Sequence, residues 1–163
     1  MSYRVVGVMG PGEGASEVDY DAAYELGRGI ATCGWVLLSG GRDAGVMQAA
    51  NRGAKAAGGL TLGILPDKGQ SRSPQIDIAV KTAMGSGRNW LNILSSDAIV
   101  VCGLGLGTLS ELALALKQGI PTLLLAPMPE LVALLQKLPA AQAARVVETP
   151  QGAIAELQKL LLQ

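Results

Sequence analysis

A doubly wound α/β fold, in which a parallel sheet carries helices on both faces, is predicted from three features of this 163-residue chain. Apolar runs alternate with segments of helical periodicity along its length. The runs are almost continuously apolar, as strands buried on both faces require. Several of them end in glycine-rich turns that lead straight into a helical segment, the pattern of a strand–turn–helix unit. In such sheets ligands bind at the carboxyl ends of the strands, near the point where strand order reverses.

In chain order, Arg4 to Met9 reads as the first strand. The loop Gly10-Pro11-Gly12-Glu13-Gly14-Ala15-Ser16 follows and reads as a flexible connection to a helix over Asp19 to Cys33. Trp35 to Ser39 is the second strand, and the turn from Ser39 through Gly40, Gly41, Arg42 and Gly45 to Met47 introduces a helix over Ala44 to Ala57. Leu60 to Leu65 and Ile76 to Val80 are further apolar runs, separated by the polar loop Asp67 to Pro74, which reads as solvated. Asn89 to Ser95 is helical and Ala98 to Cys102 is a strand. The glycine turn Cys102-Gly103-Leu104-Gly105-Leu106-Gly107 then opens a helix over Thr108 to Gln118, with Glu111 in its early turns. Pro121 to Leu125 is a strand, and Pro127 and Pro129 bracket the start of the C-terminal segment. Its last helix, Gly152 to Leu162, has a Leu/Ile face suited to core packing. No repeat or low-complexity linker interrupts the chain, so residues 1–163 are expected to form one domain.

Composition removes several function classes. The 13 basic residues balance the 13 acidic ones, leaving no global field to hold nucleic acid or an anionic membrane surface. The aromatic residues Tyr3, Tyr20, Tyr24, Trp35 and Trp90 offer little material for base stacking and read as packing residues. No apolar run reaches membrane-spanning length and Met1-Ser2-Tyr3-Arg4 has no signal pattern, so a cytoplasmic protein is expected. Cys33 and Cys102 are too few for a disulfide framework or a zinc site and read as reduced, packed thiols, although Cys102 sits where a thiol could face a ligand.

The chain has no histidine, which excludes Ser-His-Asp and Cys-His nucleophiles, His-based zinc sites and imidazole acid–base chemistry. No metal-ligand set is expected. No lysine lies in a glycine turn, which argues against a pyridoxal phosphate Schiff base. The glycines after the first strand do not form G-x-G-x-x-G, and no acidic residue ends the second strand, so an ordinary NAD site is rejected.

Anion binding remains. Glycine lets the backbone approach a phosphate, while the leading N–H groups and positive dipole end of the next helix point at it. Two such turns on one sheet point to a phosphate-bearing small molecule lying across both. The candidate residues are Gly40, Gly41, Arg42 and Gly45 in one turn and Gly103, Gly105, Gly107 and Thr108 in the other, with the N–H groups of Gly105 to Leu109 capping the phosphate. Arg88, with Asn89 beside it, can hold an anionic group bidentately, and Glu111 can accept from a ligand hydroxyl or amine. The competing use of Arg88 and Glu111 is a salt bridge between two helices. Asp97 reads as a local cap or pair.

The combination Gly40-Gly41-x-x-x-Gly45-Val46-Met47, Arg88, Asp97-Ala98 and Gly105-x-Gly107-Thr108-x-x-Glu111 resembles the LOG-like Rossmann superfamily, once labelled lysine decarboxylases, over nearly the whole chain. Ser86-Gly87-Arg88-Asn89, the short length and the Gly40-Gly41-Arg42 start of the earlier turn look most like its molybdenum cofactor carrier proteins. This resemblance implies a Rossmann-like domain that binds, stores and passes on molybdenum cofactor (molybdopterin) without turnover, with molybdenum enzymes as recipients. It also implies a homodimer or homotetramer, with the apolar helices Leu91 to Leu94 and Leu109 to Leu116 in the interface.

A carrier needs no catalytic residue. The alternative is the superfamily's nucleoside 5′-monophosphate phosphoribohydrolase activity, in which Arg88 and Glu111 would be the catalytic pair. The hydrolase pattern Pro-Gly-Gly-x-Gly-Thr-x-x-Glu places its first three positions on Gly103, Leu104 and Gly105 here. Arg42 replaces a third glycine, and Asn89 stands where the hydrolases carry lysine. These departures weigh against turnover while leaving the anion site in place.

Overall fold

The computed structural model describes residues 3–162. Among them, strands β1 (Val5–Met9), β2 (Val36–Ser39), β3 (Thr61–Leu65), β4 (Ile78–Lys81), β5 (Ala98–Cys102), β6 (Thr122–Leu125) and β7 (Arg145–Val147) form one sheet. Its order is β4-β3-β2-β1-β5-β6-β7 and every pair is parallel. Strand order therefore runs outward from β1 on one side and β5 on the other, making the β1/β5 boundary the switch point.

The helices are α1 (Glu17–Thr32), α2 (Gly45–Ala56), α3 (Arg88–Leu94), α4 (Leu106–Gln118), α5 (Pro129–Gln136) and α6 (Pro150–Leu161). Alternate strand residues point to opposite faces. Val6, Val8, Val100 and Leu123 pack with α1, α2 and α6, while Met9, Ile99, Val101 and Leu124 pack with α3, α4 and α5. The central strands are thus covered on both faces, as their continuous apolar runs predict, while the edge strands β4 and β7 are largely exposed, Ile78 and Val80 of the Ile76 to Val80 run among them.

Local chemistry explains where the elements differ from expectation. α1 starts at Glu17, ahead of Asp19, because Ser16 and Asp19 form a capping box. The Asp19 N–H donates to Ser16 Oγ at 3.1 Å and the Ser16 N–H donates to the Asp19 carboxylate at 3.2 Å. α6 starts at Pro150, where Thr149 Oγ1 accepts from the Gly152 N–H at 3.0 Å and proline suits the first helical position. Asp77 interrupts the Ile76 to Val80 run: its carboxylate accepts from the Thr61 N–H and from Lys55 Nζ, each at 2.9 Å, so β4 begins at Ile78. β7 lies outside every apolar run of the sequence; it has three residues, two of them exposed, and is a strand because β6 pairs with it.

The polar loop after β3 is not free in solvent. The Asp43 N–H donates to the Ser71 carbonyl at 2.9 Å and the Ser73 N–H to the Gly41 carbonyl at 2.8 Å, which ties the loop to the turn after β2. Ser73 is fully buried. Asp97, expected to cap or pair locally, instead reaches across to the first strand, where its carboxylate accepts from the Val5 N–H at 2.7 Å.

Candidate functional site

A cleft of about 440 Å³ opens at the carboxyl ends of β1 and β5, within the size range of small-molecule sites. Its walls are the loop Gly10 to Glu13 after β1, Gly40 and Arg42 after β2, Pro66 after β3, the Gly85 to Asn89 entry to α3, and the N-terminal turns of α4.

The α4 terminus faces this cleft open. Gly105 precedes the helix with extended backbone, and no side chain caps it. The Leu109 N–H is already bound to the Gly105 carbonyl at 2.8 Å, so the donors left over are those of Gly105, Leu106, Gly107 and Thr108. That shortens the expected donor row, because the helix begins at Leu106 rather than Thr108. α2 differs. Its Val46 N–H donates to the Pro11 carbonyl at 3.0 Å, and at Gly45, with φ of +51°, a methyl group would stand 2.1 Å from the Gly12 carbonyl oxygen. Protein carbonyls therefore already stand at the α2 terminus, and the turn after β2 contributes Gly40 and Arg42 to the cleft instead.

Gly40 makes room for a cation. A methyl group there would lie 2.7 Å from Arg88 Nη2, so the missing side chain is the seat of the guanidinium. Arg88 is 8% exposed and Glu111 5%. Arg88 Nη1 donates to Asn89 Oδ1 at 3.0 Å and stands 3.5 Å from Glu111 Oε1. Glu111 Oε1 accepts from Asn92 Nδ2 at 2.8 Å, and Asn89 Nδ2 donates to Ser110 Oγ at 2.9 Å. Burial raises the Glu111 carboxyl above its ordinary range, against the opposing pull of Asn92 and Arg88. Burial likewise works against the Arg88 charge, which Glu111 supports. The interhelical salt bridge and the cleft lining are thus one arrangement. At the rim, Arg42 Nη2 lies 3.2 Å from Glu13 Oε1.

Of the residues singled out by sequence, Gly40, Arg42, Arg88, Asn89, Gly105, Gly107, Thr108 and Glu111 line the cleft. Gly41, Gly45 and Gly103 do not. Each has positive φ and serves the backbone path, Gly41 beside Leu65, Gly45 against Gly12 and Gly103 against Asp19. The loop Gly10 to Glu13, expected to be a connection, is a cleft wall held by the Val46–Pro11 hydrogen bond. Gly10 lets this loop leave β1 close against β5: a side chain there would meet the Cys102 carbonyl at 2.2 Å.

Cys102 points away from the cleft, into the core beneath α1, with Sγ donating to the Asp19 carbonyl at 3.3 Å. Burial, assisted by the Asp19 charge, pushes its thiol up to about 12. Only the thiolate reacts with alkylating reagents. Iodoacetamide at pH near 8 should therefore leave Cys102 unmodified in the folded protein and modify it after denaturation; peptide mass mapping that finds it labelled in the native state would contradict this placement. Among the described residues no group of three or more His, Cys, Asp or Glu could hold a metal ion.

An all-parallel sheet with an uncapped helix N-terminus at its switch point places the protein among the Rossmann-like α/β folds. Residues 3–154 match the SLOG cluster4 family, and the chain belongs to it. It is 46% identical to the molybdenum cofactor binding protein from the phototrophic bacterium Rippkaea orientalis, with 99% of each chain covered and a TM-score of 0.94. To the molybdenum cofactor carrier protein from Chlamydomonas reinhardtii it is 43% identical over 99% of this chain and 100% of that one, with a TM-score of 0.93. A third relative is the cytokinin riboside 5′-monophosphate phosphoribohydrolase of Mycobacterium tuberculosis, 35% identical over 95 residues, which are 56% of this chain and 51% of that one. The resemblance to the LOG-like superfamily and its carrier proteins, read from the glycine turns, is upheld.

Proposed function

We propose that the cleft binds molybdenum cofactor and that the protein is a carrier, storing and protecting the cofactor and passing it to molybdenum enzymes without turnover. The observation that carries this reading is the open α4 terminus beside Arg88, whose Nη2 has no acceptor among the described residues, in a chain more than 40% identical to two proteins named for that cofactor. The cofactor's phosphate suits the N–H groups of Gly105 to Thr108, with Arg42 and Arg88 balancing charge and Glu111 accepting from a hydroxyl or amine. Its metal arrives in its own dithiolene ligands, so the protein need supply none.

In this reading residues 1–163 act as one domain in the cytoplasm, assembled as a homodimer or homotetramer. No helix among the described residues is long and apolar enough to cross a membrane. Trp90, Leu94, Leu106 and Leu109 are exposed on α3 and α4 beside the cleft, which supports self-association through those helices.

A phosphoribohydrolase is the second reading, favoured by the match to the mycobacterial enzyme and by the Arg88–Glu111 pair. One experiment separates them: metal analysis and mass spectrometry of the protein with and without added molybdenum cofactor, beside an assay for base release from AMP. Stoichiometric pterin and molybdenum without base release is the expected result. Base release that disappears in Glu111→Ala would overturn the carrier reading.

A further inference from the structure

We infer that Asn92 is the positioning residue of the cleft: its amide holds the Glu111 carboxylate by Oε1, leaving Oε2 and Arg88 Nη2 as an acceptor and a donor for the ligand. The inference rests on reading this cleft as the binding site. Asn92 sits one helical turn beyond Arg88 on α3, is fully buried, and does not line the cleft. Its side chain makes one hydrogen bond among the described residues, Nδ2 to Glu111 Oε1 at 2.8 Å, and its Oδ1 is buried without a partner. An amide buried with an orphaned acceptor is unfavourable, and an apolar side chain of similar size would avoid that penalty. Ile93, its neighbour in the chain, is buried in the apolar core.

What the amide supplies is geometry. Guanidinium and carboxylate frequently close on each other through two parallel hydrogen bonds. Here Glu111 Oε1 is bound to Asn92, Arg88 Nη1 stands 3.5 Å away and donates to Asn89 instead, and the two-bond clasp is not made. Nη2 and Oε2 therefore have no hydrogen-bond partner among the described residues, and both belong to side chains on the cleft wall. A ligand group that carries an N–H or O–H donor next to an anionic or carbonyl acceptor fits the pair. The amide also favours the ionised carboxyl where burial disfavours it. Of the other charged groups around the cleft, Arg42 after β2 pairs with Glu13 after β1 at the exposed rim, and Asp67 after β3 accepts from the N–H groups of Gly69 and Ser71; Arg42 opposes the Arg88 charge and Asp67 supports it.

The test compares Asn92→Leu, Glu111→Gln and the double variant. Two readouts are used: carbon NMR titration of the Glu111 carboxyl in the ligand-free protein, and binding of molybdenum cofactor. Asn92→Leu should move the Glu111 midpoint to higher pH and weaken cofactor binding about tenfold, the loss of one hydrogen bond to a charged group. In the Glu111→Gln background the same change should add little. Asn92→Ala, which adds no bulk, should show the same pattern if Asn92→Leu does not fold. An unmoved Glu111 midpoint, or equal weakening with and without the Glu111 carboxylate, would overturn the positioning role. A midpoint that moves in a protein that binds no molybdenum cofactor would keep Asn92 as the positioning residue and refute the ligand assignment instead.

Discussion

Replacing Arg88 by alanine is expected to lower stability by about 3 kcal/mol at neutral pH, because it strands a buried Glu111 charge beside an emptied guanidinium seat at Gly40. The loss should shrink in acid. Burial holds the Glu111 carboxyl above its ordinary range, so the folded state binds this proton more tightly than the unfolded state does. Stability linked to Glu111 is then full below the ordinary carboxylate range and declines as pH rises through the raised folded value. Arg88 restrains that decline, and Arg88→Ala should steepen it. Urea midpoints measured from about pH 4, near the unfolded carboxylate value, to pH 8 check this, and a loss independent of pH would contradict it. Cofactor retention should fall as well, by roughly 1 to 3 kcal/mol, the range for a lost charge-assisted hydrogen bond. Arg88→Lys separates the two effects: it keeps the charge that stabilises Glu111 but loses the second nitrogen, so it should recover stability more fully than retention. Unchanged retention in Arg88→Ala would refute the carrier assignment.

Gly53→Ala should be nearly as disruptive, although nothing about it touches a ligand. α1 and α2 cross in backbone contact: a methyl group at Gly53 would lie 1.9 Å from the Tyr24 carbonyl oxygen, and one at Gly27 would lie 2.0 Å from that of Ala50. These atoms belong to the main chain of the facing helix and cannot rotate aside. Alanine favours a helix over glycine by about 1 kcal/mol, but the overpacking penalty of about 3 kcal/mol exceeds it. A net loss near 2 kcal/mol by denaturant unfolding is the expected result. A variant as stable as the original would mean that α1 and α2 can separate without loss. The change should reach the cleft too, since the α2 terminus holds the Gly10 to Glu13 wall through Val46 and Pro11.

The doubly wound sheet was legible in the residues alone, because continuous apolar strands and glycine turns are local signals that survive without knowledge of neighbours. The strand, glycine turn and helix start at α4 were legible as well, since they lie within a few residues of one another, whereas the Arg88–Glu111 contact joins α3 to α4 and was only one of two uses open to those residues until the helices packed. Which helix terminus stays open was set by packing. At α2 the answer depends on the Pro11 and Gly12 carbonyls, more than thirty positions earlier in the chain. The same holds for Gly40, a turn glycine in sequence and a guanidinium seat in space, and for Asn92, whose partner Glu111 lies on another helix. β7 became a strand through pairing with β6 rather than through any pattern of its own. Such contacts join segments distant in the chain, and they are set by how helices and strands pack, which one-dimensional spacing does not contain.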